Sequence, residues 1–247
     1  MIPWRKTDAS VVGVDLSGRT TGRTALAVIE PTGPRKRIRV ISADRIRREG
    51  GDSPDEHLVE LIGGLDPVRV GIDAPLTLPL YLSRGRFPGR PDRDEVCRYD
   101  RRLCDEFIGG MSTMMLGVLT ARGIFLSREI EKRSLDAIEV YPAKSLERFG
   151  VPPSWIRGAD GYKRDPSRIP AILDRLGLEH SFEMTGDPLT GDHELDAVIC
   201  ALTVAAPPGA FEFVGDPEEG QVMLPLFKFW GIDRIVQPEE ARDSTNS

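Results

Sequence analysis

Two short apolar runs in this chain end on an aspartate: VVGVD, residues 11–15, and VRVGID, residues 68–73. Each is too short for a helix and rich in valine and isoleucine, so each reads as a buried strand. A carboxylate at the end of a buried strand is costly unless it is solvated, paired or bound to a cation. If the two strands lie parallel and side by side, Asp15 and Asp73 emerge at one sheet edge, and each raises the other's pKa. A hard divalent cation, Mg²⁺ or Mn²⁺, removes that conflict because it takes oxygen ligands. Asp15 has a second reading, in which it shapes the following turn, LSGRTTG, by bonding nearby amides.

Residues 11–15, 23–30 and 37–43 read as three strands, with PTGPR breaking the second from the third. They make a three-stranded antiparallel meander. Ser53 and Pro54 open a helix to Leu65, with Leu58, Leu61, Ile62 and Leu65 at helical spacing. The strand ending at Asp73 follows and Pro75 stops it. Helices are expected over about 96–108 and 111–122, and a fifth strand in SLDAIEVYP, residues 134–142. Further helices are expected in AKSLERFG, closed by Gly150, over 166–177 despite Pro170, and over 192–206, ended by Pro207 and Pro208. FEFV and QVMLPLF suggest a terminal hairpin.

A meander followed by α/β alternation is not the plain doubly wound pattern. It resembles the ribonuclease H-like fold, whose carboxylates sit at the end of the first strand, the end of the fourth, and on a later helix. The expected class is therefore α/β, a ribonuclease H-like mixed sheet (antiparallel meander plus parallel strands) flanked by helices. It is expected as one domain over 11–236 with an Arg-rich insertion at about 76–95, an N-terminal extension over 1–10 and a disordered tail over 237–247.

The later helix is DHELDAVICALTVAA, residues 192–206. Leu195, Val198, Ile199 and Leu202 form its buried stripe, and Asp192 and Asp196 lie together on one flank. Asp192 stands in the first turn, where the helix dipole favours an acid, so it reads equally as a cap or a ligand. Asp196, beyond that turn and beside core residues, reads as a ligand. Glu139, near the end of the fifth strand, is either a further site acid or the partner of an arginine such as Arg148.

The segments GVDLSG, GIDAPL, EVYPAKSL, GYK and HELDAVICALTVA together resemble the domain of unknown function 429 family, described as predicted ribonuclease H-like nucleases, over about residues 10–206. The resemblance implies that Asp15, Asp73, Glu139 and Asp196 are the motif acids, that Lys163 is a recurring basic position, and that the activity is nucleolytic. The candidate catalytic set is thus Asp15, Asp73, Glu139, Asp196 and Lys163, with Asp15, Asp73, Asp196 and Asp192 as metal ligands. Two metals ~3.5–4 Å apart activate water and stabilise the leaving oxygen of a phosphodiester, and Lys163 would balance charge on the phosphate.

The stretch RGRFPGRPDRDEVCRYDRR, residues 84–102, carries seven arginines against four acids. Arg84, Arg86, Arg90, Arg98 and Arg101 are candidates for phosphate contact, and Phe87 and Tyr99 for base stacking. The alternative is a solvated loop with internal ion pairs such as Asp94–Arg98. A net charge of −6 argues against a protein coated in basic surface but not against a local nucleic-acid patch. Three cysteines and three histidines, scattered, fit neither a disulfide framework nor a zinc site, and a cytoplasmic setting is expected. No run is long and apolar enough for a membrane span, and residues 1–10 lack a signal-peptide core. Two rival functions remain: a non-catalytic ribonuclease H-like binding scaffold, and an actin-like or sugar-kinase-type phosphotransferase using DLSGRTTG around phosphates. The latter lacks a second glycine-rich phosphate turn in the sequence.

Overall fold

The computed structural model describes residues 10–18, 23–30, 36–79, 101–109 and 116–228. Among the described residues, eight strands form one sheet: β1 (Val11–Asp15), β2 (Ala25–Glu30), β3 (Lys36–Ile41), β4 (Arg69–Asp73), β5 (Ala137–Val140), β6 (Phe182–Gly186), β7 (Phe211–Asp216) and β8 (Gly220–Pro225). Their spatial order is β6-β3-β2-β1-β4-β5-β8-β7. The antiparallel meander β1–β2–β3 is as expected. β4 runs parallel to β1 and β5 parallel to β4. The β7–β8 hairpin is antiparallel and joins the sheet through the parallel β5–β8 pair. This is the expected ribonuclease H-like mixed sheet.

The helices are α1 (Ala43–Gly50), α2 (Pro54–Leu65), α3 (Leu103–Ile108), α4 (Gly117–Glu131), α5 (Pro142–Arg148), α6 (Pro153–Ile156), α7 (Ile169–Leu176), α8 (Leu178–Ser181) and α9 (Asp192–Val204). None among the described residues is long and apolar enough to cross a membrane. Strand alternation sorts the sheet into two cores. Val12, Val14, Leu26, Val28, Val70 and Ile72 face α1, α2 and α4. Val11, Ala25, Ala27, Ile138 and Val140 face α9 and its neighbours. All five residues of β1 are buried, and each fully buried valine there contributes roughly 1.5–3 kcal/mol. The strand end that carries Asp15 is therefore a firm platform.

Two glycines seat α9 on that platform. Gly13 and Gly71 are register partners on β1 and β4. A Cβ on Gly13 would lie 2.1 Å from the Ala197 carbonyl oxygen and 2.2 Å from the Ala201 nitrogen. One on Gly71 would lie 2.9 Å from the Cys200 carbonyl oxygen. Only residues without a side chain let the helix backbone rest directly on the strands, and that contact brings Asp196 down to the strand ends.

Several elements depart from expectation. α1 was not foreseen: only Ala43 and Ile46 of its eight residues are buried, so its apolar signal is a single turn, and Ser42 caps it by accepting from the Arg45 nitrogen. β6 was missed too, because FEMTG is a half-exposed edge strand with Phe182 as its one buried side chain. α4 starts at Gly117 and runs to Glu131 instead of stopping at about 122, since Leu126 and Ile130 continue the buried stripe. Residues 1–9 of the N-terminal extension, the tail and nearly all of the arginine-rich insertion lie outside the described residues.

Candidate metal centre

Asp15 and Asp73 are register partners at the ends of neighbouring parallel strands, so both side chains leave the sheet on the face that α9 covers. Asp196 reaches the same place from the second turn of α9. One oxygen from each of Asp15, Asp73 and Asp196 lies within 4.8 Å of the others. Asp15 is 6% and Asp196 1% exposed; Asp73 is partly exposed. The sequence pairing of VVGVD with VRVGID and HELDAV is thus realised in space.

The surrounding groups manage the charge unevenly. Asp196 is held at both oxygens: the fully buried Tyr162 hydroxyl donates to Oδ1 at 2.5 Å, and Lys163 Nζ pairs with Oδ2 at 2.7 Å. Even so, burial and the Asp15 carboxylate push Asp196 up to about 6. Asp15 is met at Oδ2 by His193 Nδ1, a contact that raises His193 against the effect of burial. Asp73 is raised well above the ordinary carboxylate range, first by burial, then by the charge of Asp15, with Asp196 adding to it and Lys163 opposing it. Lys163 is raised in turn, since Asp196 and Asp73 outweigh the burial that would lower it. Asp73 therefore carries the unresolved charge of the group.

That arrangement fits a hard divalent cation. The donors are carboxylate oxygens, the choice of Mg²⁺ and Mn²⁺. The charge conflict on Asp73 is what such an ion relieves. The oxygens held by Tyr162 and Lys163 each keep a further lone pair.

Other expected residues lie elsewhere. Glu139 is opposite Ile72, not Asp73, in the β4–β5 register. Neighbours in register share a face, so its carboxylate leaves the side opposite the three aspartates. There Arg102 grips it, Nη2 to Oε1 at 2.6 Å and Nη1 to Oε2 at 2.7 Å, while the Leu76 nitrogen donates to Oε2 at 2.9 Å. The arginine foreseen as its partner, Arg148, instead pairs with Glu212. Arg102 also pairs with Asp105 at 2.7 Å. Cys104, Asp105 and Glu139 come close enough to hold an ion, but the guanidinium already binds both acids through charge-assisted hydrogen bonds, and burial pushes the Cys104 thiol up to about 12. This is a structural ion triad, and one arginine of the basic stretch is spent in it. Asp192 neither caps α9, whose N-cap is Gly191, nor joins the carboxylate group. Its carboxylate stays 28% exposed, 4.0 Å from His193 Nε2. Of the arginines, Arg101 is exposed, while Arg84, Arg86, Arg90 and Arg98 lie outside the described residues.

Two residues at the centre escaped the sequence reading. His193 sits three positions before Asp196, one helical step on the same flank, and that spacing was the available signal. Tyr162 stands beside Lys163 in GYK, but nothing in a lone tyrosine announces a buried hydroxyl aimed at a carboxylate.

No family model and no curated protein matches the sequence. Among solved structures the chain is similar to Thermus thermophilus RuvC, at 14% identity and a TM-score of 0.36, over 79% of this chain and 93% of that one. The T. thermophilus RuvC in complex with a Holliday junction substrate gives the same identity and TM-score, over 80% and 93% of the two chains. A likeness at that level says nothing about activity or substrate.

Proposed function

We propose that this protein is a divalent-metal-dependent nuclease of the ribonuclease H-like kind, similar to the domain of unknown function 429 family, hydrolysing phosphodiester bonds of nucleic acid. The observation that carries the reading is the meeting of Asp15, Asp73 and Asp196 within 4.8 Å at one sheet edge. These three would hold Mg²⁺ or Mn²⁺. Such ions, when bound, would polarise the phosphoryl oxygens and lower the pKa of bound water so that a nucleophile is available at neutral pH.

The protein's own groups do the positioning. Tyr162 and Lys163 fix Asp196, and His193 fixes Asp15, so the carboxylates are set before substrate arrives. Lys163, half exposed at its side chain, stands where an approaching phosphate meets a cation, and its charge opposes the build-up of negative charge on the equatorial oxygens. Glu139, bound up with Arg102, acts in this scheme by holding the strand ends, and Asp192 lies at the rim.

The test is a panel of single-stranded, duplex and branched DNA and RNA with Mg²⁺ or Mn²⁺. At least one substrate is cut by the wild type and not by Asp15→Ala, Asp73→Ala or Asp196→Ala. ATP hydrolysis without any strand cleavage would move the assignment to a phosphotransferase. Binding without metal uptake or cleavage would move it to a scaffold.

A further inference from the structure

The three carboxylates sit beside a cleft of about 260 Å³, lined by Asp73, Gly109, Tyr141, Ile156, Arg157 and Lys163 among others. Lys163 belongs to both places, since it pairs with Asp196 at 2.7 Å and lines the cleft. Arg157 adds a second cation. Its side chain is 47% exposed and touches Glu147 at 3.3 Å. Glu147 also holds Lys144 at 2.8 Å, so it keeps a partner if the guanidinium turns to a ligand. Tyr141, directly after β5, packs against the small apolar group of Cys104, Ile108, Val222 and Leu224 and lines the cleft as well. One site therefore combines a supported aromatic ring, two exposed cations and, at one end, the acids.

That combination reads phosphate and base together. Arginine and lysine suit phosphate oxygens, and an aromatic ring gives any base a stacking face. The volume lies near the lower end of the ~300–1,000 Å³ of small-ligand pockets, which suits about one nucleotide. A base can stack on Tyr141 only when its own faces are free of neighbours.

We propose that this cleft is the subsite for one unpaired nucleotide adjoining the scissile phosphate, with Arg157 and Lys163 on its phosphate oxygens and Tyr141 against its base. The substrate is then nucleic acid that is single-stranded at that nucleotide. The proposal rests on the nuclease reading above, and its test separates the two.

Binding of a fluorescein-labelled single-stranded oligonucleotide and of the matching blunt duplex is measured by anisotropy, in chelator and again with Ca²⁺. The single strand binds more tightly than the duplex. Tyr141→Leu weakens single-strand binding about 5- to 140-fold, the equivalent of one stacked base, whereas Tyr141→Phe, which keeps the ring, binds like the wild type. Arg157→Gln lowers the slope of log affinity against log salt by about 0.7, one phosphate contact on a single strand, a change that a loss of packing alone does not produce. No binding in either condition, a duplex bound as tightly, or indifference to both Tyr141→Leu and Arg157→Gln overturns the subsite. Cleavage that persists with such indifferent binding leaves the nuclease reading intact. The expected binding pattern without any metal-dependent cleavage does the reverse.

Discussion

Replacing Asp73 with asparagine keeps the side chain's shape and removes the charge that its surroundings tolerate least. One of its oxygens lies within 4.8 Å of one from Asp15 and one from Asp196, and two charges at that separation repel by about 3 kcal/mol at an effective dielectric of ~20. Lys163 offsets one of the two repulsions. Partial exposure of Asp73 screens the remainder, which leaves a net cost of about 1–3 kcal/mol in the metal-free protein. In a chain of this size each kcal/mol moves the melting temperature by roughly 2–4 °C. In chelator, Asp73→Asn should therefore melt about 2–12 °C above the wild type in differential scanning fluorimetry. Mn²⁺ at a hundred times its dissociation constant stabilises the wild type by about 2.7 kcal/mol, a rise of about 5–10 °C, and should move the variant by less than half as much. A variant that melts below the wild type in chelator, together with equal Mn²⁺ shifts in the two proteins, would refute the shared-cation account.

The same charges set a pH dependence. Asp196 is raised from 3.8 to about 6 and Asp73 is raised too, so from about pH 3.8 to about pH 6 the native state holds protons that the unfolded chain has released. Metal-free stability then falls as pH rises through that window, by about 3 kcal/mol for Asp196 alone. His193 is raised as well, and its contribution, complete below about 6.5, is lost as pH rises through its folded value. Both effects make the apo protein melt higher at about pH 5 than at about pH 8, and a flat or opposite profile contradicts the assignment. Gly13→Ala drives a methyl into the backbone of α9, 2.1 Å from the Ala197 oxygen, and should cost at least ~1–3 kcal/mol in urea unfolding together with Mn²⁺ binding, because Asp196 is lifted off the strand ends. Arg102→Met leaves Asp105 and Glu139 buried without their cation, and an expected loss of about 3–5 kcal/mol is read from the urea midpoint. An unchanged midpoint would mean that the triad bears no weight.

The local patterns that short-range physics imposes were legible in the chain. VVGVD and VRVGID are too short and too β-branched to be anything but buried strands, and the stripe of Leu195, Val198, Ile199 and Leu202 specifies which side of α9 meets the sheet. From those two facts Asp15, Asp73 and Asp196 follow as neighbours on condition that the two strands pair parallel and side by side, a pairing that the tertiary structure supplied. What the chain alone did not reveal depends on pairing between distant segments. Glu139 points away from the aspartates because β5 pairs Glu139 with Ile72; a shift of one residue would have reversed its face. Its true partner, Arg102, comes from a stretch whose composition suggested phosphate binding. α1 and β6 escaped because each buries too little apolar surface to leave a periodic mark, and both are held by contacts with elements far along the chain. The placements of Tyr162 and His193 came only when the loop met Asp196 on α9 and α9 met Asp15 on β1, since a hydroxyl or an imidazole can position a group only through the acid that it meets and not through its neighbours in sequence.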